Sequence, residues 1–227
     1  MQENILLDKV SDKKTKVILF VTLILPVLGL LFYYSSCSTQ YKRLDIFGPK
    51  ELSSKGDTIY HTIEPFKFIS QSGDTITESI TKGKIYIADY FFTTCKTICP
   101  LMSKHLEKVQ KEFEKDDQVI ILSHTVDPET DSVPVLAQYA KDHHAQAGKW
   151  YFLTGDKPEL YALARNSYFL SALTGDGGPE DFIHSEKLVL VDKEKRIRGF
   201  YDGTDTKDVK RLIDEIEVLK IEYGDRK

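Results

Sequence analysis

The 227-residue sequence has few cysteines: Cys37, Cys95 and Cys99 are the only three. Three cysteines are too few for the disulfide framework of a small secreted domain. Cys95 and Cys99 have the spacing CxxxC, which is one residue longer than a CxxC redox pair, and no second cysteine pair completes a four-thiolate zinc site. The sequence therefore supplies cysteines for one two-thiol site, and the stretch "FFTTCKTICP" (91–100) contains both.

The chain also lacks an excess of positive charge and any internal repeat. Its net charge is −4, so its overall composition gives no sign of nucleic-acid binding. Hydrophobic residues make up 41% and charged residues 29%, the proportions of an ordinary globular protein. The length allows one good-sized domain plus an attachment.

One segment departs from this ordinary composition. Residues 17–34, "VILFVTLILPVLGLLFYY", contain no charge, and 18 such residues just reach the length that crosses a bilayer. Lysines precede the segment, and lysines favour the cytoplasmic side of a membrane. No Arg-rich, Ser-rich transit peptide precedes it, which favours a bacterial cell. We therefore expect a single-pass protein of the bacterial inner membrane whose C-terminal domain faces the periplasm or the cell exterior.

The expected organisation has four parts: a cytoplasmic N-terminus (1–16), a transmembrane anchor (17–34), a linker (35–59) and a domain (60–227). A cleaved signal peptide is one alternative for 17–34, but the apolar run is long and no A-x-A site follows. Lipidation of Cys37 in "YSSC" is another, although a tyrosine three residues before the cysteine fits that signal poorly. All three alternatives export the domain, and outside the cytoplasm thiols tend to be oxidised or metal-bound.

Strand and helix patterns alternate along the predicted domain. An early hairpin (65–77) is followed by buried strands (84–92 and 118–126), each leading to a helix, then by a strand and helix (149–167), a late hairpin (185–203) and a last helix (206–223). This order predicts an α/β sandwich with a central mixed sheet. The CxxxC lies where the first buried strand meets its helix. That is the carboxyl end of a strand, where ligands of open α/β sheets gather.

Pro100 predicts the local geometry of the two thiols. Proline favours the first helical position, and the residue before it avoids helical angles, so we expect Cys99 to be the N-cap and Cys95 to lie in the preceding loop. The unpaired N–H groups of the helix should then lower the pKa of both thiols. This environment suits a redox-active disulfide pair or a soft metal such as Cu(I) or zinc. Two thiolates leave a metal site incomplete, and histidine is the usual third ligand.

The sequence has six histidines from which a third ligand could come. His61 and the adjacent His143 and His144 are expected to be solvated, and His105 to be on the surface of the first helix. His124, at the end of a strand on the cysteine side of the sheet, is a candidate for a position beside the site. His184 follows a glycine-rich loop and precedes a strand, so its loop could fold back over the sheet edge onto the cysteines, although most lone histidines are structural or solvated.

Four stretches in this order resemble the SCO/SenC family: "FFTTCKTICP", "TVDPETDSVPVLAQYA", "KWYFLTGD" and "DFIHSEKLVLVD". The resemblance covers about residues 60–223 plus the N-terminal anchor. It implies a membrane-anchored, thioredoxin-like copper protein that assists assembly of the binuclear copper site of cytochrome c oxidase. The copper ligands that it implies are Cys95, Cys99 and His184.

The resemblance also implies a role for Asp127, in "VDPE", near the metal or the partner surface. A turn-forming Asp-Pro is an equally good explanation of that residue. The chain departs from related sequences inside the CxxxC, where Lys96 and Thr97 replace a common proline and acidic residue. The added positive charge next to the thiols leaves the ligands intact, and we expect copper affinity and partner choice to differ from those of related proteins. The segment before the histidine, "DFIH", is also short.

Two functions therefore stand first. A metallochaperone, with no enzymatic turnover, would bind copper and pass it to the copper-site subunit of cytochrome c oxidase. It could also interact with other periplasmic copper chaperones or with thioredoxin-like reductants. A thiol–disulfide oxidoreductase would use Cys95 and Cys99 to reduce cysteines of that subunit or of another exported partner, and would not need His184.

A peroxidase or redox sensor ranks lower, because no arginine lies near Thr93, Thr94 and Cys95 in the sequence. A purely structural disulfide is the remaining alternative.

Overall fold

The computed structural model describes residues 2–36, 42–54, 56–170 and 185–224. The chain divides into two compact units, Met1–Lys42 and Arg43–Lys227. The first contains helix α1, Gln2–Ser36, with Pro26 inside it. Within the described residues, Lys13–Tyr33 is a 21-residue stretch with a hydropathy of 2.4, and by length and composition it is apolar enough to cross a membrane. It overlaps residues 17–34, for which the sequence predicts an anchor.

The second unit is built from strands and helices that alternate in the predicted order. Its strands are β1 (Lys50–Leu52), β2 (Thr58–Tyr60), β3 (Lys67–Ser70), β4 (Thr75–Thr77), β5 (Ile85–Phe91), β6 (Val119–Thr125), β7 (Trp150–Thr154), β8 (Lys187–Val191) and β9 (Ile197–Asp202). Its helices are α2 (Ile98–Glu112), α3 (Val133–Asp142), α4 (Lys157–Ala162) and α5 (Thr206–Glu222). A 3₁₀ turn, Glu78–Thr81, precedes β5, and a π-helical turn, Leu163–Ser167, extends α4.

In the described part of the chain, seven strands form one mixed sheet in the order β4-β3-β7-β6-β5-β8-β9. Strands β5, β6 and β7 are parallel neighbours, whereas both hairpins, β3–β4 and β8–β9, join antiparallel. In the first hairpin Gly73 has φ +85°, a backbone angle that glycine adopts without strain. The α/β sandwich with a central mixed sheet and two hairpins is thus confirmed.

Both faces of the central strands are covered, because every residue of β5 and β6 is buried. On one face Tyr86 and Leu122 belong to a core that includes Tyr161 and Tyr168 from the α4 region. On the other face Ile87 belongs to a core with residues of α2 and α5. Alternate strand residues point to opposite faces, so each strand supplies both cores.

Residues before β3 are also in contact with the sheet. The short strands β1 and β2 pair with each other, although the sequence predicts a linker over 35–59. Phe47 forms a bridge to Ile197 and packs edge-on against Phe200. The buried Arg198 guanidinium donates to the carbonyl oxygens of Leu44 and Asp45. Hydrogen bonds therefore fasten the chain to the domain from about Leu44 onward.

Candidate metal and thiol site

The loop between β5 and α2 carries both cysteines of the predicted site. Strands β5 and β6 are parallel and in register, so this loop and the loop after β6 leave the sheet at the same edge. Helix α2 begins at Ile98, and its N-cap is Thr97. The prediction that Cys99 is the N-cap is therefore wrong. Pro100 occupies the third helical position, where its missing N–H costs nothing, because the first N–H groups of a helix have no partner within it.

Cys95 lies in the loop before α2 and is partly exposed. Partial burial acts to raise the pKa of its thiol. Hydrogen bonds from the backbone N–H groups of Cys99 and Thr97, and contacts with their side chains, outweigh burial and lower that pKa to about 7. The Thr97 hydroxyl lies 3.7 Å from the Cys95 sulfur. The prediction that the helix N-terminus acidifies the thiol is thus confirmed for Cys95.

Cys99 has the opposite character. Its side chain is only 3% exposed and belongs to the core beneath α2. Burial raises the pKa of the Cys99 thiol to about 12, and interaction with Cys95 adds to the increase. The prediction of two acidic thiols is therefore wrong for this cysteine, because the helical turn that starts at Ile98 carries Cys99 into the core. The pair thus combines an accessible, acidic thiol with a buried, protonated one.

Asp127 lies in the loop that follows β6, at the same edge of the sheet as the CxxxC. Its backbone N–H donates to the Thr125 hydroxyl over 2.9 Å, and its carbonyl accepts from the N–H groups of Thr130 and Asp131. These bonds form a tight turn, as expected for an Asp-Pro sequence. No hydrogen bond of the Asp127 carboxylate occurs among the residues that the structure describes. A role near a metal or partner remains a prediction.

A residue to which the sequence assigns no role, Asp131, connects this turn to the cysteine loop. Its carboxylate is fully buried and accepts hydrogen bonds from the backbone N–H of Thr93, at 3.2 and 3.3 Å, and from the hydroxyls of Thr93 and Thr125. Asp131 is the last acidic residue of "VDPETD", so it belongs to a quoted motif. Its partners are 38 residues and 6 residues away in the chain, and sequence alone does not reveal such contacts.

A second buried carboxyl, Asp89, lies within β5 on the same face as Cys99. Burial raises its pKa to about 7, although a hydrogen bond from the Ser123 hydroxyl opposes the increase. The Ser123 oxygen in turn accepts a hydrogen bond from the Trp150 indole over 2.8 Å. Asp89 lies close enough to the thiols for its charge to raise the pKa of Cys99.

The histidines differ from expectation in several places. His105 is 3% exposed, and its Nδ1 lies 2.8 Å from the Gly203 carbonyl, so the prediction of a surface histidine is wrong. His61 is half-buried, with Nε2 2.9 Å from the Ser167 carbonyl, rather than solvated. His143 is half-buried and pairs with Glu107 at 2.9 Å. His144 is exposed, as predicted.

His124 lies on the sheet face opposite to Cys99 and is fully buried. It stacks on Tyr90 with ring centroids 4.9 Å apart, and the edges of Phe66 and Phe68 close the cage. Neither ring nitrogen has a hydrogen-bond partner in the described part of the chain. Burial lowers its pKa to about 4, despite the nearby carbonyls of Asp89 and Leu122. The sheet therefore separates His124 from the core that contains Cys99.

His184, the predicted third ligand, and Cys37 both fall outside the described residues. Among the described residues, no group of three or more His, Cys, Asp and Glu side chains could hold a metal ion. What this part of the chain offers to a soft metal is the pair Cys95 and Cys99. Their thiol donors suit Cu(I), which prefers sulfur ligands.

The fold and this thiol pair define a thioredoxin-like domain with two cysteines at a strand-to-helix junction. Comparison with known proteins specifies the family, because the SCO1/SenC family model matches residues 55–219. The chain belongs to the SCO1/SenC family. It is 30% identical over 163 residues to the SCO1 protein homolog of Bacillus subtilis, covering 71% of this chain and 84% of that protein.

Solved structures of relatives agree with this assignment. BsSco, a member of the Sco family of cytochrome c oxidase assembly proteins in which a disulfide switch was identified, is 29% identical with a TM-score of 0.61. That match covers 71% of this chain and 94% of BsSco. ScoI of Arabidopsis thaliana with copper bound is 30% identical with a TM-score of 0.54, over 67% of this chain and 94% of ScoI. The thioredoxin-like fold and the family assignment are thereby confirmed.

Proposed function

We propose that this chain is a membrane-anchored copper metallochaperone that assists assembly of the copper site of cytochrome c oxidase. Family membership supports the proposal, and a copper-bound relative supports the choice of metal. The observation that carries it is the pair of thiols at the edge of the sheet, one accessible and one buried. The proposed ligands are Cys95, Cys99 and His184.

Copper is cargo for such a protein rather than a resident cofactor. Two thiolates and a neutral imidazole would give Cu(I) a site with a net charge of −1, whose ligands can be exchanged one at a time for those of an acceptor. No electron moves in this transfer. Loading must release the proton of the buried Cys99 thiol, because the thiolate is the ligand. Asp127, beside the site, is proposed to face the metal or the partner.

The proposed anchor is the apolar stretch of α1, with residues 1–16 cytoplasmic and the domain outside the membrane. The lysines before residues 17–34 support this orientation. The proposed acceptor is the copper-site subunit of the oxidase, and other exported copper chaperones or thioredoxin-like reductants are proposed as further partners. Protease added to intact spheroplasts should digest the domain and spare the N-terminus. Protection of the domain would contradict the orientation.

Copper stoichiometry tests the ligand set. The full-length chain in detergent, reduced and loaded anaerobically with Cu(I) against a chelator, should retain equimolar copper. Cys95→Ser, Cys99→Ser and His184→Ala should each lose most of it, whereas His144→Ala, which changes an exposed histidine, should retain it. Wild-type stoichiometry in any of the three ligand variants would remove that residue from the site.

A second function, thiol–disulfide reduction, is supported by the asymmetry of the thiols. In this reaction the Cys95 thiolate attacks a partner disulfide and releases one partner thiolate. Cys99, after losing its proton, then attacks the Cys95 sulfur, releases the second partner thiol and leaves a Cys95–Cys99 disulfide. Two electrons pass to the partner. An exported dithiol must then supply two electrons to reduce the Cys95–Cys99 disulfide. Reduction of a model disulfide by His184→Ala at the wild-type rate would favour this function, and a loss of rate would count against it.

A further inference from the structure

The loop that carries Cys95 is hydrogen-bonded at its start to the buried carboxylate of Asp131. Both Asp131 oxygens lie within 3.3 Å of the Thr93 backbone nitrogen, and the Thr93 hydroxyl donates to Oδ1. Thr93 lies two residues before Cys95. The Cys95 N–H in turn donates to the Phe92 carbonyl over 3.2 Å, so the turn closes around Thr93. Asp131 therefore holds the point from which the Cys95 loop leaves β5.

The same carboxylate also holds the loop that carries Asp127. The Thr125 hydroxyl donates to Oδ2 of Asp131, and its oxygen accepts the backbone N–H of Asp127. Asp131 N–H closes the turn by donating to the Asp127 carbonyl over 2.8 Å. A continuous hydrogen-bonded chain thus runs from Thr93 through Asp131 and Thr125 to Asp127. This side chain and the bond from the Val126 N–H to the Phe91 carbonyl, 2.9 Å long, together join the two loops.

A carboxylate fits this position because all its partners are donors. Two hydroxyls and one backbone N–H point at it, and an ionised carboxylate offers only acceptors. An asparagine at the same place would turn an N–H₂ group toward one of these donors and leave buried polar groups unpaired. Hydrogen bonds to an ionised group are also about twice as strong as neutral ones.

We propose that Asp131 is a positioning residue for the thiol pair, whose buried carboxylate holds Thr93, and with it the Cys95 loop, against the loop that carries Asp127. The inference deepens the proposed function. It rests on that function in one respect, namely that the sulfur of Cys95 is a functional group. Its test uses no copper, so a failure of the copper assignment and a failure of this inference give different results.

The test measures the Cys95–Cys99 dithiol–disulfide equilibrium in the full-length chain in detergent, in glutathione redox buffers. Trypsin cleaves after Lys96, so mass spectrometry distinguishes two separate peptides from one disulfide-linked pair. The carboxylate supports the loop in the arrangement with both thiols free. Asp131→Asn and Thr93→Val should each therefore shift the equilibrium toward the disulfide by about tenfold, which is about 30 mV for a two-electron couple.

Two further variants separate positioning from general destabilisation. Thr93→Ser, which keeps the hydroxyl and the backbone N–H, should behave as wild type. Asp192→Asn removes another buried carboxylate, in the β8–β9 turn, which accepts bonds from Arg196 and Arg198. It should lower the unfolding midpoint without moving the thiol equilibrium. The double variant Asp131→Asn/Thr93→Val should shift the equilibrium by less than the sum of the two single shifts, because both variants lose the bond between the Thr93 hydroxyl and Asp131.

Two results would overturn the inference. One is an equilibrium in Asp131→Asn within twofold of wild type. The other is an equal shift in Asp192→Asn, which would reduce the effect of Asp131 to general destabilisation.

Discussion

The backbone N–H of Cys99 helps to lower the pKa of the Cys95 thiol, so one cysteine of the pair stabilises the thiolate of the other. The donor exists because Cys99 lies in the first turn of α2, where backbone N–H groups have no partner within the helix. The same helical position buries the Cys99 side chain. One geometric arrangement therefore makes one thiol acidic and the other resistant to ionisation.

This arrangement predicts selective alkylation. At pH 7 iodoacetamide should modify Cys95 and leave Cys99 largely unmodified, because burial raises the pKa of Cys99 to about 12 and shields its sulfur. The Cys95 rate should rise with pH through a midpoint near 7. Peptide mass spectrometry after cleavage at Lys96 reports each cysteine separately. Faster modification of Cys99 would contradict the assignment.

Lys96 should raise the rate at which negatively charged reagents modify Cys95. Its side chain is exposed between the two cysteines, so its charge should attract anions to Cys95. In Lys96→Glu the ratio of the iodoacetate rate to the iodoacetamide rate should fall several-fold at low salt and recover at high salt, since salt screens exposed charges. The matched control is Lys108→Glu, on the exposed face of α2, which should leave the ratio unchanged. A salt-independent ratio in Lys96→Glu would argue against electrostatic attraction.

His124→Phe should stabilise the domain at neutral pH. The phenyl ring fills the same aromatic cage without the two ring nitrogens, which have no hydrogen-bond partner among the described residues and are each costly to bury. We expect a gain of about 1–2 kcal/mol in the free energy of unfolding. Denaturant titration followed by fluorescence measures it, because Trp150 is the single tryptophan of the chain and is fully buried. A loss of stability would show that the imidazole makes a favourable interaction.

The pH dependence of stability should reveal two opposed groups. Burial lowers the pKa of His124 from 6.5 to about 4, so its unfolded form binds the proton more tightly. The resulting stability is present above pH 6.5 and is lost as pH falls toward 4, about 3 kcal/mol in all. Burial raises the pKa of Asp89 from 3.8 to about 7, so its contribution is present below 3.8. That contribution is lost as pH rises toward 7, about 4 kcal/mol in all.

Between pH 4 and 6.5 these two contributions oppose each other in the wild type. In Asp89→Asn, stability should therefore rise with pH over this window, and in His124→Phe it should fall. Parallel unfolding titrations of both variants across the window test the signs. The same slope in both variants would refute the assignment of opposite titrations. Asp74→Asn, which changes an exposed carboxyl, serves as control and should follow the wild type.

The sequence predicted the parts of the fold that long, strongly patterned segments determine. The sequence pattern predicts β5 and β6 from their apolar runs and α5 from its apolar stripe. Each of these elements buries a regular set of residues. The hairpin β1–β2 escaped prediction because its strands have three residues each and are almost wholly exposed. No periodicity survives in so short a segment.

The sequence predicted which cysteines form the site. It did not predict their burial or the residues that surround them. Cys95 and Cys99 were identified from spacing and from the adjacent proline, but the helix starts two residues before that proline. This difference decides which thiol is buried. The partners of Asp131 and His105 lie up to 98 residues away, and only the packed sheet brings them together. Residue spacing predicts contacts within one helix or strand. It does not predict contacts between residues that are distant in the sequence.

The hydrogen bonds of Asp131 limit how the thiol loop could be transplanted. A protein engineer who grafted residues 92–100 onto another scaffold of the same fold would move the cysteines and Thr93 but leave their acceptor behind. The graft would also need residues 125–131, which supply Thr125 and the carboxylate. The smallest transferable unit of this site is therefore a pair of loops from neighbouring strands, although its reactive sulfur atoms come from only one of them.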